Sequence, residues 1–550
     1  MTVTVEVEGL PTLGSVLGTL RSKRALERVW GRDSTLWKEG DPAAKASIDS
    51  RLGWLDAPAG FSERMGELAE VTARLLEGVD RVVLLGMGGS SLCPEVLARS
   101  FGHQAQGKPL HVLDSTDPDA IAALLEQIDP ARTRFLVASK SGGTIETLSL
   151  YRFFLERVGK GEAFVAITDP GSQLEGWARE EGFAATLLNP ADIGGRFSAL
   201  SHFGLLPAAL LGLPLDALLA GARAQAEADG PGVDPEESPA ARLAAAMAAA
   251  VAEGRDKLTL LTEEPLTSLG AWIEQLVAES TGKEGKGVVP VDLEPAGLPR
   301  GDDRLYVHLD VGTTRRAALE GVPEGAPLLR IHLPELESIG GAFFLWEMAT
   351  ALTGALLEVN PFDEPNVKEA KSRTGELLEV FEAEGALPAS RTEHLVEGLR
   401  LDADAAFEPG EVTTVDQVLA AHLERGKAGD YLCLQAFLPM REETEAALAR
   451  LRARLARRSG LATTSGFGPR FLHSSGQLHK GGPDTGLFLQ LTHTPAASFA
   501  VPGAAYDFGT LFAAQARGDF QALADRGKRV LRIDLGEGDL VQALDGLLAG

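Results

Sequence analysis

The chain predicts an α/β protein with two doubly wound parallel-sheet units and a further C-terminal α/β region. Three observations lead there. Short apolar runs at 82–85, 110–113, 135–138, 164–168 and 184–188 lack polar alternation, as strands buried on both faces do. Helical stretches separate them, which is the rhythm of parallel strands joined by helices. Two of the runs, the first and the third, empty directly into glycine- and hydroxyl-rich loops.

Element by element, residues 1–60 read as a mostly helical segment. Residues 61–226 form the first sheet unit. A Gly-, Pro- and acid-rich stretch at 229–239 reads as a linker. The second sheet unit, 239–378, carries runs at 258–262, 288–291, 305–309 and 328–332. The C-terminal extension, 379–550, has strand candidates at 431–438, 487–492 and 529–533. No apolar run is expected to reach the roughly 20 residues of a membrane span.

Charge narrows the partners. The net charge is −26, which argues against nucleic acid and anionic membrane, because both call for basic surface. Two cysteines, Cys93 and Cys433, are too few for a disulfide framework and fit a reducing, cytoplasmic setting. The opening Met1-Thr-Val-Thr-Val-Glu-Val-Glu is acidic and alternates in polarity, unlike a secretory leader.

The two loops carry the first chemical signal. Gly86-Met-Gly88-Gly89-Ser90-Ser91 follows the first strand, and Ser139-Lys140-Ser141-Gly142-Gly143-Thr144 follows the third. Loops of this kind offer backbone N–H groups and hydroxyls to an anion, and the next helix adds its positive end. Ser139, Ser141 and Thr144 can ring a phosphate, with Lys140 adding charge. Gly89 and Ser90 are the candidate contacts of the first loop, although a capping role suits one of Ser90 and Ser91 equally well. A phosphorylated small molecule is the ligand class indicated.

Further motifs follow in order: Ile193-Gly194-Gly195-Arg196-Phe197, Gln275-Leu-Val-Ala-Glu279-Ser280-Thr-Gly282-Lys283, and Asn360-Pro-Phe-Asp363-Glu364 through Lys371. Gly195 permits close backbone approach, and the Arg196 guanidinium can face a developing oxyanion. Gln275 and Glu279 share one helix face. Glu279 lies near the helix C-terminus, where the dipole raises the pKa of a carboxyl toward that of a useful base.

With the two loops, these motifs resemble those of the glucose-6-phosphate isomerase family across roughly residues 80–372. The segments Gly341-Ala-Phe-Phe-Leu-Trp-Glu and Leu472-His-Ser-Ser-Gly-Gln-Leu-His-Lys-Gly-Gly482 resemble the branch found fused behind transaldolase. Sixty residues ahead of the first sheet unit are too few for a transaldolase domain. The resemblance implies two sugar-isomerase (SIS) domains and interconversion of glucose 6-phosphate and fructose 6-phosphate. It implies Glu279 as the base moving a proton between C2 and C1, Arg196 stabilising the enediolate, and Lys371 helping to open the sugar ring. It needs no metal, nucleotide or redox cofactor, because a proton moves and not a hydride. Homodimers with shared sites, or a separate transaldolase partner, are further implications.

Two positions depart from the family pattern. Glu364 stands where the family usually has glutamine; either it pairs with a neighbouring Lys or Arg, or its role differs. The family's ring-opening histidine segment is missing between Lys283 and Asn360, where only His308 and His332 occur. His332, at a strand end, is the better placed of these. In the extension, His473 and His479 form either a structural turn or a relocated acid/base site, within one chain or reaching a neighbouring subunit. An isomerase of another sugar phosphate, such as mannose 6-phosphate, and a non-catalytic sugar-phosphate-binding SIS protein are the competing readings.

Overall fold

The computed structural model describes residues 2–298, 300–312, 319, 321–388 and 394–547. Its first sheet holds five parallel strands in the spatial order Leu110–Leu113, Arg81–Gly86, Thr133–Ala138, Phe164–Thr168 and Ala185–Leu188. From Arg81–Gly86 the chain builds first to one side, then crosses back to build outward on the other. The reversal leaves a crevice between Arg81–Gly86 and Thr133–Ala138, where open parallel sheets bind ligands. Both glycine loops leave from that place.

The sheet is covered on both faces. Val82, Leu84 and Leu136 point into one core with helix Leu92–Phe101, while Val83, Leu85 and Phe135 point into another with helix Ile145–Val158. Successive strand side chains face opposite ways, so unbroken apolar runs are what such burial requires.

In the second sheet, Leu328–Leu333, Arg304–Val311, Lys257–Thr262 and Val289–Val291 run parallel. Its edge is Thr4–Glu8, antiparallel to Leu328–Leu333. The N-terminal segment, expected to be mostly helical, therefore contributes a strand as well as helices. Its Val–Glu alternation, with Val5 buried, was the available signal.

The third sheet has the order His394–Val396, Leu399–Ala403, Arg529–Asp534, Gly486–Thr492, Tyr431–Phe437 and Ala462–Phe467. The last four strands are parallel. Ala-Thr-Thr-Ser-Gly-Phe at 462–467 has no apolar run and escaped the sequence reading, because an edge strand needs little apolar surface. By length and composition Leu336–Leu357 is long and apolar enough to cross a membrane, although no uninterrupted apolar run of that length was expected. Nearly all of it is buried, as a core helix packed among Leu215–Ala228, Pro239–Ala252 and Leu269–Thr281.

Candidate active site

The first loop is built by close packing. Gly88 adopts φ +56°, and a Cβ there would lie 2.6 Å from the His473 carbonyl oxygen and 2.7 Å from Gln275 Nε2. A Cβ on Gly89 would lie 2.0 Å from the Gly195 carbonyl oxygen. The space beside Gly88 and Gly89 thus belongs to Gly195, Gln275 and His473, while Gly195 itself faces open space. Ser91 Oγ donates to the Gly88 carbonyl at 3.1 Å and lies 3.1 Å from Asp114 Oδ2, which is the structural role. Ser90 is buried, and its hydroxyl makes no hydrogen bond to another described residue.

The second loop leads into helix Ile145–Val158 through Thr144, whose side chain makes no capping hydrogen bond. Ser139 Oγ lies 3.2 Å from Thr144 Oγ1, and the Gly143 N–H donates to Ser141 Oγ at 3.3 Å. The buried Thr147 hydroxyl has no partner. Lys140 behaves differently from expectation: its ammonium pairs with Asp169 and donates to the Ala191 carbonyl at 2.8 Å. The loop therefore offers hydroxyls and a helix end, not a free ammonium, as the features that suit an anion.

Glu279 and Arg196 meet across the two sheet units. Arg196 is buried on the turn Gly195–Phe197. Its Nε donates to Ser280 Oγ at 2.8 Å, Nη1 to Glu364 Oε2 at 3.2 Å, and Nη2 to the Pro361 and Asp363 carbonyls at 2.6 and 2.8 Å. Four of the guanidinium's five N–H donors are so engaged, and the same Nη1 lies 3.5 Å from Glu279 Oε1. The pairing alternative for Glu364 is the one the structure takes. Burial pushes the Glu279 carboxyl above its ordinary value; Arg196 opposes this and the Glu364 charge adds to it. Burial alone would raise Glu364 as well, but the charges of Arg196, Arg51 and Lys283 and the Arg196 hydrogen bond together hold that carboxyl below its ordinary value.

A pH prediction follows. A base must be ionised, so activity should fall as pH drops through the raised Glu279 pKa. Glu364→Gln removes a nearby negative charge, lowers that pKa, and should move the acidic limb of the kcat/KM profile to lower pH. A limb left in place would show that Glu364 does not act on the base.

Lys283 ties the end of this helix to the last signature. Its buried Nζ donates to the Asn360 carbonyl at 2.5 Å and to Asp363 Oδ1 at 2.7 Å, and burial pulls its pKa down to about 8. Gln275 Nε2 donates to the His473 carbonyl at 2.6 Å, while its buried Oε1 is unpartnered. Lys371 is exposed on helix Val367–Glu384, and its charge reaches Glu146.

The extension enters the site from the same chain. Arg470 clamps its turn Arg470–His473 onto the first sheet unit, 2.7 Å from both Glu95 and Asp114. That places His473 Nε2 2.9 Å from Glu146 Oε1. Burial alone would raise the Glu146 carboxyl; the His473 charge and hydrogen bond, with a backbone hydrogen bond and the Lys371 charge, together hold it below its ordinary value. Gln477 Nε2 donates to the Gly282 carbonyl at 3.0 Å and to Asn366 Oδ1 at 2.7 Å, joining the Glu279 helix end to the last signature. Of the three candidate histidines, only His473 joins the site. His479 is buried between Phe471 and Phe488, 3.5 Å from Cys433 Sγ, and desolvation drives its pKa far down. His332 pairs with Asp310 near the edge of the second sheet. The sequence reading missed Glu146: an acid in a helix's first turn is ordinary and carries no separate signal.

Comparisons with known proteins point to one family. The family described as "Phosphoglucose isomerase" matches residues 60–294. A glucose-6-phosphate isomerase of Symbiobacterium thermophilum is 32% identical over 391 residues, covering 59% of this chain and 86% of that protein. One from Thermus thermophilus is 32% identical over 407 residues, covering 63% of this chain and 93% of its own. Among solved structures, a hypothetical protein from Thermus thermophilus is 28% identical, with a TM-score of 0.56 over 68% of this chain and 99% of that chain. A glucose-6-phosphate isomerase from Chlamydia trachomatis, 17% identical, shares the fold with a TM-score of 0.52 over 68% of this chain and 86% of its own. Ordered motifs, a shared fold and near-complete coverage of these relatives lead to one conclusion: the chain belongs to the glucose-6-phosphate (phosphoglucose) isomerase family.

Proposed function

We propose that this protein interconverts glucose 6-phosphate and fructose 6-phosphate through an enediolate. The observation that carries the proposal is the buried Glu279 carboxyl facing Arg196 at 3.5 Å. A binding protein has no use for a carboxyl held above its ordinary pKa beside a guanidinium; a proton-transfer enzyme does.

In this reading the phosphate sits on Ser139, Ser141, Thr144 and Thr147 at the start of helix Ile145–Val158. His473 opens the ring. Its Nε2 faces Glu146, which leaves Nδ1 for the sugar oxygen. Lys371 contributes positive charge at that end. Glu279 then removes the C2 proton and returns it at C1. The remaining Arg196 N–H and its charge stabilise the enediolate oxygen. Every group named comes from one chain, so a second subunit is not needed to supply the histidine. No step requires a metal, nucleotide or redox cofactor.

Coupled oxidation of glucose 6-phosphate formed from fructose 6-phosphate, run in deuterated water, tests this directly. Turnover with solvent deuterium appearing at C2 of the product is the expected result. Tight sugar-phosphate binding without turnover would favour the non-catalytic reading, and turnover with mannose 6-phosphate alone would reassign the substrate.

A further inference from the structure

Glu146 has a second partner, from a part of the chain outside every motif discussed so far. Gln515 lies on helix Phe508–Asp525 of the extension and is buried. Its Nε2 donates to Glu146 Oε1 at 2.7 Å, the same oxygen that faces His473. Its Oε1 accepts from Thr116 Oγ1 at 2.6 Å, just beyond the first-sheet strand Leu110–Leu113. The carboxylate can only accept, so it fixes which end of the amide faces it, and the Thr116 hydroxyl holds the other end. Glu146 Oε2 remains buried and unpartnered. The carboxylate is thus aimed by one oxygen alone, and two donors converge on it.

We propose that Gln515 is a positioning residue for ring opening: with Thr116 it holds the Glu146 carboxylate ionised and aimed at His473. The proposal rests on the role assigned to His473 above. The physical case is a short chain, Thr116–Gln515–Glu146–His473, in which every link is within hydrogen-bond distance and almost wholly out of water. A donor on a buried carboxylate favours its charged form, and a charged Glu146 keeps the imidazole in one orientation and tautomer. Without that donor the carboxylate protonates more readily and its plane is free to turn. Because Gln515 and His473 both belong to the extension, that region then acts as a working part of the catalytic site and not as an appended domain.

Gln515→Met keeps the volume and removes both polar ends. Its kcat with ring-form fructose 6-phosphate should fall about 10-fold, with KM little changed. The acidic limb of its kcat profile should move to higher pH, since Glu146 loses a group that stabilises its ionised form. Gln515→Glu places a second carboxyl against the first and should move the limb further in the same direction. Thr116→Val, which leaves the amide in place but unanchored, should give a smaller shift of the same sign, and it decides the matter if the Met variant does not fold. A purely structural role would lower Tm and leave the pH profile unmoved; that result overturns the proposal. Glu279→Gln, measured alongside, separates the two levels. If that variant keeps full activity the isomerase mechanism fails as a whole. If it is dead while the Gln515 and Thr116 variants keep the wild-type profile, only the positioning role fails.

Discussion

Glu279→Gln is expected to reduce turnover by about 10²–10⁴-fold while leaving sugar-phosphate affinity nearly intact. The size of the effect follows from what the substitution removes. Glutamine fills the same volume but cannot accept a proton. The groups proposed to hold the phosphate, at Ser139 to Thr147, belong to another sheet unit and are untouched. Arg196 keeps its contacts to Ser280, Glu364 and the Pro361 and Asp363 carbonyls, so the oxyanion side of the site should persist. Stability gives an independent readout. A carboxyl whose folded pKa is raised stabilises the fold while protonated and loses that contribution as pH rises through the folded value. The variant carries no such charge, so its Tm should match or exceed wild type at alkaline pH. Binding would be followed by calorimetry and turnover by the coupled assay. Activity surviving the change would place the base elsewhere, with His473 the next group to replace.

The second large effect is expected at His473. His473→Asn should lower isomerisation of the ring forms by about 10²–10³-fold, because acid catalysis of ring opening is lost. Anomerisation of the sugar phosphate should fall with it. Hydrogen exchange at C2 of the small open-chain fraction should continue, since that step belongs to Glu279. The two steps can therefore be separated by NMR on a single sample. The variant also exposes a linkage. Against the upward push of burial, Glu146 is held below its ordinary pKa mainly by His473. It therefore contributes stability above the unfolded carboxyl pKa and loses it as pH falls through the lower folded value. Without the imidazole that loss should begin at higher pH, and acid unfolding should shift upward. Equal losses in ring opening and C2 exchange would instead mean that His473 serves the whole site, not ring opening in particular.

Much of this was legible in advance. Apolar runs without alternation identified the parallel strands, and the loops after Gly86 and Ala138 lie at the ends of neighbouring strands. Glu279 and Arg196 come together, as the ordered motifs led one to expect. Lys140 did not follow: a lysine in a hydroxyl-rich loop reads as a ligand cation, yet Asp169, at the end of the adjacent strand, claims it. His332 and His479 were plausible by position, but one pairs with Asp310 beside the edge strand of the second sheet and the other is buried between Phe471 and Phe488.

Local pattern alone located most of the parallel strands, the two glycine- and hydroxyl-rich loops and the candidate proton-transfer residues, because each depends on residues close together in the chain. Tertiary structure alone decided which candidate histidine meets Glu146, that Glu364 shares Arg196 with Glu279, and that Gln515 meets Glu146. Those partners are separated by 327, 168 and 369 residues. Contacts across such distances are set by how sheets and helices pack, and a buried carboxyl leaves no periodicity in the chain to announce the partner it will meet.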